Sequence, residues 1–255
     1  MNKKEFLFYD AYEAFYAMAG QSKAFGDFCR DAFGADFSQD GFSDIRQIEM
    51  ILPYIPRTGD VHILDIGCGN GKMLGYLQAK TAACIHGFDY SEEAIRTAQA
   101  LFPENADFRE GVIGEVDYPD ESFDVILSMD TLYFAQDMAA FVAQIKRWLK
   151  PGGVFFVGYQ EGDVLPKTKN ADTTRLARAL TQNDLPYEAT DITKALCCAR
   201  RLGRDSSHSH VVPAVLSRPL RQRAAGTGST CCWDKRTMPT SPMNSSAPAW
   251  PATFM

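Results

Sequence analysis

Three glycines spaced one residue apart, Gly67, Gly69 and Gly71, follow a short apolar run in the stretch HILDIGCGNGK, residues 62–72. Glycines placed directly after a strand let a ligand approach the backbone, because no Cβ stands in the way. Spacing discriminates among ligands. A phosphate-binding P-loop needs Gly, four residues, then Gly-Lys-Ser/Thr. Here Ile66 stands where the first glycine belongs and Met73 replaces the hydroxyl residue, so that reading fails and Lys72 becomes a solvated first-turn residue. The dinucleotide fingerprint needs G-x-G-x-x-G, and Lys72 fills its third glycine position, which weakens a nicotinamide-dependent oxidoreductase without removing it. The remaining pattern is D-x-G-x-G-x-G, from Asp65 through Gly71. Asp89, at the end of the next apolar run and 22 residues past Gly67, supplies a carboxylate able to accept both hydroxyls of a ribose. Such a charged-acceptor bond is worth about 1.5–3 kcal/mol. Asp89 does not separate one adenosine-bearing cofactor from another; the glycine spacing does.

These residues need elements to hold them. Four apolar runs, residues 61–66, 84–88, 123–129 and 153–159, are near-continuous rather than alternating, as in strands buried on both faces of a parallel sheet. Helical segments lie between them. Ser91 is a candidate N-cap, with Ala94, Ile95, Ala98 and Leu101 on one face of the segment that follows. Residues 138–153 place Phe141, Ile145, Trp148 and Leu149 together and end on Pro-Gly-Gly. Strand alternating with helix predicts a doubly wound, mostly parallel α/β sheet with right-handed crossovers. Residues 1–57 are aromatic-rich and strandless, and predict a helical cap of two or three helices.

The bulk numbers narrow the partners. A chain of 255 residues with 45% hydrophobic content can bury one sizeable core. No window approaches 18 uninterrupted apolar residues, and the N-terminus lacks a signal-peptide pattern, so a membrane is not expected. Seven irregularly placed cysteines suit a reducing, cytoplasmic setting. Residues 1–199 hold 18 Lys and Arg against 30 Asp and Glu, a net −12, while residues 200–255 hold 8 against 2, a net +6. An acidic main body argues against nucleic acid, whose binding rests on phosphate contacts. A small-molecule partner fits better; the oligomeric state is not set by the sequence.

At residues 65–71 the chain resembles the class I S-adenosylmethionine-dependent methyltransferases, and the likeness extends over roughly residues 40–195. IHGFDYSEEAI resembles that family's second strand ending in its acidic residue, DYPDESFDVILSMDTLYF the approach to its fourth strand, and IKRWLKPGGVFFVG its helix, turn and fifth strand. The resemblance implies a Rossmann-like methyltransferase sheet with S-adenosyl-L-methionine as cofactor. It also implies direct in-line transfer of a methyl group to an O, N, S or C atom of a small molecule. By the same likeness Asp65, Gly67, Cys68, Gly69, Gly71, Asp89, Tyr90, Val112 and Ser128 are expected to form the cofactor site, with Tyr90 packing on the adenine. Asp65 has an equally good reading as a buried carboxylate bonded to backbone amides, and Cys68 as a small residue suited to a tight turn. Val112 is a departure, because the family carries an adenine-binding Asp there. Asp130 and Tyr133, after the fourth strand, are the expected catalytic pair; the alternative for Asp130 is a helix N-cap. The stretch lacks the Asn/Asp-Pro-Pro-aromatic signature of enzymes that methylate exocyclic or amide nitrogens. His62 and His86 read as structural, and no metal site is expected, since the paired cysteines lack zinc spacing.

The core is expected over residues 58–204. Beyond it, residues 205–255 are rich in Ser, Thr and Pro, follow neither strand nor helix period, and read as a disordered tail, either a genuine appendage or a frame-shifted or degenerate end. No seventh strand is apparent. That leaves an alternative open: a cofactor-binding protein with a truncated core and impaired catalysis.

Overall fold

The computed structural model describes residues 8–41, 43–159 and 171–190, and the backbone of 214–217. Seven strands form one sheet: β1 His62–Ile66, β2 Cys84–Asp89, β3 Ala106–Glu110, β4 Phe123–Met129, β5 Leu149–Gly158, β6 Glu188–Ala189 and β7 Ala214–Ser217. Their order across the sheet is β3-β2-β1-β4-β5-β7-β6. The first five run parallel, while β7 lies antiparallel to both β5 and β6. Every residue of β1 and β2 is buried, which explains their unbroken apolar character. The strand order turns back between β1 and β4, so their carboxyl ends open onto a crevice, the usual place for a ligand in such sheets.

Helices α4 Lys72–Thr81, α5 Glu92–Leu101, α6 Met138–Trp148 and α7 Arg175–Gln182 connect and flank the strands. The Ser91 side chain caps α5, accepting from the Ala94 amide at 3.1 Å. Two apolar layers follow. One surrounds Trp148, Phe155 and Phe123 between the sheet and α6–α7; the other surrounds Ile48, Leu74 and Phe156 on the opposite face. The expected helix over residues 138–153 ends earlier, at Trp148, and Leu149 already pairs with Phe123 as the start of β5. Lys150 precedes a proline and is therefore pushed toward extended backbone, so Pro-Gly-Gly lies inside an irregular strand entry rather than in a turn before it.

Residues 9–54 form the cap: α1 Tyr9–Ala19, α2 Lys23–Phe33, α3 Ile45–Glu49 and a short 3-10 turn at Leu52–Tyr54. Ser22 caps α2, and Asp44 with Gln47 forms a reciprocal capping box on α3. Tyr9 and Tyr12 of α1 meet the ring of Tyr90 edge-on, each 5.7 Å between centroids, and this docks the cap on the carboxyl edge of β2.

The expected absence of a seventh strand is corrected by the backbone at 214–217, which covers the outer edge of β5 from Val154 to Val157. The signal was missed because four residues inside a Ser/Pro-rich stretch are too short to show a period. The rest of the expected tail, and residues 191–204, lie outside the described residues. Among the described residues no helix is long and apolar enough to cross a membrane.

Candidate active site

A cavity of about 600 Å³ opens at the carboxyl ends of β1, β2 and β4, beneath α1 and residues 37–41 and 43. That volume suits a cofactor or drug-sized ligand. Gly67, Cys68, Gly69, Asp89, Tyr90, Val112 and Asp130 are on its wall.

The glycine loop is shaped by conformation and packing together. Gly67 and Gly69 have φ of 75° and 52°, the left-handed region that side chains rarely occupy. A Cβ at Gly69 would collide with the Tyr16 hydroxyl, and one at Gly67 with the side chain of Thr131. Each absent side chain thus faces another part of the protein, which lets α1 and the β4 loop close over the glycines. Gly71 lies off the cavity, where a Cβ would strike the Phe108 ring at 2.8 Å.

Asp89 is the charged centre of this wall. Its two carboxylate oxygens accept from the amides of Gly69 at 3.0 Å and Ser91 at 2.9 Å. Burial nonetheless raises its pKa to about 6, with the backbone bonds pulling the other way. A carboxylate has about four acceptor positions, so these amides do not exhaust it. The Cys68 thiol is pushed well up by burial, then by Asp89 and Asp65, which leaves it an inert small residue in the turn.

The opposite wall comes from the cap and the β4 loop. Asp130 has φ 55° and its Oδ2 accepts from Ser43 Oγ at 3.1 Å. It caps no helix; Asp137 caps α6 instead, accepting from the Ala140 amide. Tyr12 stands between the walls, its pKa pushed to about 12 by burial and then by Asp40, Asp89 and Asp130. Gln39, Asp40 and Ser43 also line the cavity, and nothing in the sequence marked them, because the 35–44 segment has no period and no motif. Lys72, expected as a solvated residue, is a strut: its Nζ bonds Asp36 at 3.1 Å and Ser38 Oγ at 2.8 Å. Asn70 Nδ2 adds a bond to Ser38 O at 2.9 Å, so the loop itself holds the 36–38 segment in place.

Three more expected site residues lie off the cavity. Asp65 is fully buried; burial and then Asp89 raise its pKa well above the usual range, with the Ile66 amide pulling the other way. Ser128 is buried beneath the loop, its Oγ donating to Ile66 O at 3.4 Å. Tyr133 is 40% exposed and packs on Phe134, centroids 4.7 Å apart; it is Phe134 that reaches the cavity. The short 3-10 turn at Leu132–Phe134 rotates Tyr133 outward. His62 opens β1 and His86 lies within β2, ring nitrogens 2.9 Å apart, with burial and then His62 lowering the His86 pKa to about 3.

Comparison with known proteins agrees with this geometry. Residues 64–157 match the family model described as a methyltransferase domain. A protein of Mycolicibacterium smegmatis, named a probable S-adenosylmethionine-dependent methyltransferase, is 36% identical over 95 residues, 37% of this chain and 36% of that one. A ubiquinone biosynthesis O-methyltransferase of Methylobacterium nodulans is 39% identical over 97 residues, 37% of this chain and 39% of that one. The chain thus spans well under half the length of these curated relatives. Among solved structures, Haemonchus contortus phosphoethanolamine N-methyltransferase 2, crystallised with phosphomonomethylethanolamine and S-adenosylhomocysteine, aligns with a TM-score of 0.61 at 17% identity. That alignment covers 85% of this chain and 61% of that one, and it shows the shared fold. Over residues 64–157 the chain is similar to methyltransferase domains, among them S-adenosylmethionine-dependent ones.

Proposed function

We propose that this protein binds S-adenosyl-L-methionine in the cavity and transfers its methyl group to a small molecule. One observation carries the reading: the Gly67–Gly69 turn and the Asp89 carboxylate meet on one wall of a cavity closed by a separate cap. The donor set suits the cofactor. Asp89 keeps acceptor capacity for a ribose diol, the glycine turn puts backbone on the cavity wall, and Tyr90 and Phe88 give apolar surface for a purine. Tyr16, whose hydroxyl lies over Gly69, is placed to donate to a carboxylate at the amino-acid end. When bound, S-adenosylmethionine supplies an electrophilic methyl carried on a sulfonium.

The chain's own work is then alignment and exclusion of water. Tyr12 and Phe134 close the acceptor side, with Asp130 held in one orientation by Ser43. For a hydroxyl-type nucleophile, Asp130 is the group that accepts the proton at its Oδ atoms. Isothermal calorimetry with S-adenosylmethionine, S-adenosylhomocysteine and NADH tests the reading. Binding of the first two in the micromolar range, and not of NADH, is expected. NADH binding without S-adenosylmethionine binding would overturn it.

A further inference from the structure

The charged groups on the cavity wall all have one sign. Asp40, Asp89 and Asp130 stand there, and no lysine, arginine or histidine of the described residues joins them. Nearby basic groups are engaged elsewhere: Lys72 on Asp36 and Ser38, Arg46 on Asp44, and Arg175 on the carbonyls of Ala135 and Gln136. Asp89 belongs to the side proposed for the cofactor, bonded to the Gly69 amide; Asp40 and Asp130 are the other carboxylates of the wall.

Those two differ in setting. Asp130 is half-buried and fixed by Ser43. Asp40 stands at the mouth, solvent-exposed, and pairs with no basic side chain among the described residues. Tyr12 lines the cavity with them, its hydroxyl kept neutral by burial and by both carboxylates, and Phe37 and Phe134 add apolar surface. An anionic acceptor would lose its hydration against like charges, and no basic side chain among the described lining residues replaces it. A cation gains carboxylates as partners and ring faces as additional attraction.

We infer that the acceptor is a small molecule bearing a protonated amine on an apolar or aromatic body, its ammonium held by Asp40 and Asp130. The inference rests on the cavity being the acceptor site, but the cation preference is measurable without turnover. Phenethylamine, phenethyl alcohol and phenylacetate share one skeleton and differ in charge. Each is titrated by calorimetry into the full chain, alone and saturated with S-adenosylhomocysteine. Phenethylamine is expected to bind about tenfold or more tighter than phenylacetate under both conditions. Asp40→Asn and Asp130→Asn are each expected to weaken phenethylamine about fivefold or more and leave S-adenosylhomocysteine affinity within about twofold. Asp40 is at the rim, so its variant keeps the measurement available even if the Asp130 variant folds poorly. Absence of phenethylamine binding, a preference for phenylacetate or the alcohol, or unchanged amine binding in Asp40→Asn overturns the inference. If S-adenosylhomocysteine does not bind while the amine preference holds, the methyl-transfer reading falls and the cation site stands.

Discussion

The two walls of the cavity are built in different ways. The wall proposed to hold the cofactor is a tight turn: Gly67 and Gly69, an adjacent strand end and a carboxylate that ties them through the Gly69 amide. The wall proposed to face the acceptor is loop and short-turn backbone, residues 37–41, 43 and 130–136, held by side chains reaching across it from Asn70, Lys72 and Ser43. One wall is specified by backbone conformation and so tolerates almost no substitution. The other is specified by a few polar struts and can be re-aimed by single changes. That division lets one fold keep its cofactor while varying its substrate.

The largest effect is expected where the rigid wall is broken. Gly69→Ala adds a side chain at φ 52° and drives it into the Tyr16 hydroxyl. A loss of roughly 1–3 kcal/mol in stability is expected, together with a fall of two orders of magnitude or more in S-adenosylhomocysteine affinity by calorimetry. If the variant binds within about threefold of the parent, the rigid-wall argument is wrong. Asp89→Asn comes next, with affinity down by about 1.5–3 kcal/mol.

Asp89 also carries a pH signature. Its folded pKa, about 6, lies above the ordinary carboxylate value of 3.8 because burial opposes the charge. A raised folded pKa means the native state binds the extra proton, so this residue's contribution to stability is present below about pH 4 and lost as pH rises through about 6. The shift corresponds to roughly 3 kcal/mol. Ligand binding runs the other way, because the ribose needs the charged acceptor. Affinity is therefore expected to fall as pH drops below about 6 in the parent and to stay flat in Asp89→Asn. Thermal melts and calorimetry between pH 5 and 8 measure both slopes.

The same division explains what the sequence revealed. The loop Asp65–Gly71 and Asp89 were legible because backbone constraints force residue types at fixed spacing, and buried parallel strands force unbroken apolar runs. Asp40, Gln39 and Ser43 were not, because a strut needs only a donor or acceptor within reach, and many residue types at many positions supply one. Asp65 shows the limit from the other side. Its place in the motif was clear, yet the fold buries it beneath the loop, away from the cavity. Tyr133 and Phe134 are adjacent aromatics, and only the local 3-10 turn decides which of them faces inward.

The acceptor wall should yield without disturbing its neighbour. Lys72→Met removes the bonds to Asp36 and Ser38 at a partly buried site. A loss of about 1 kcal/mol, or a few degrees in Tm for a domain of this size, is expected. Acceptor KM should rise while S-adenosylhomocysteine affinity stays within about twofold. A larger loss of cofactor affinity than of acceptor affinity would mean that the walls are not independent.

The smallest effect is expected at Val112, where the cofactor wall departs from the family pattern. Val112 lines the cavity, and its carbonyl already accepts from the amides of Glu115 and Val116 at 2.9 and 3.2 Å. The backbone there is therefore set before any side chain is considered, and an aspartate can be introduced without rebuilding the turn. A carboxylate aimed at an adenine amino group gains a charged hydrogen bond of about 1.5–3 kcal/mol. Against it stand lost apolar contact and repulsion from Asp89, of about 1 kcal/mol for charges several ångströms apart near a surface. The balance predicts that Val112→Asp tightens cofactor binding only about two- to tenfold. Unchanged or weaker binding would show that the valine wall holds the purine by apolar contact alone. The departure from the family residue would then be a different solution to the same contact rather than a weakened one.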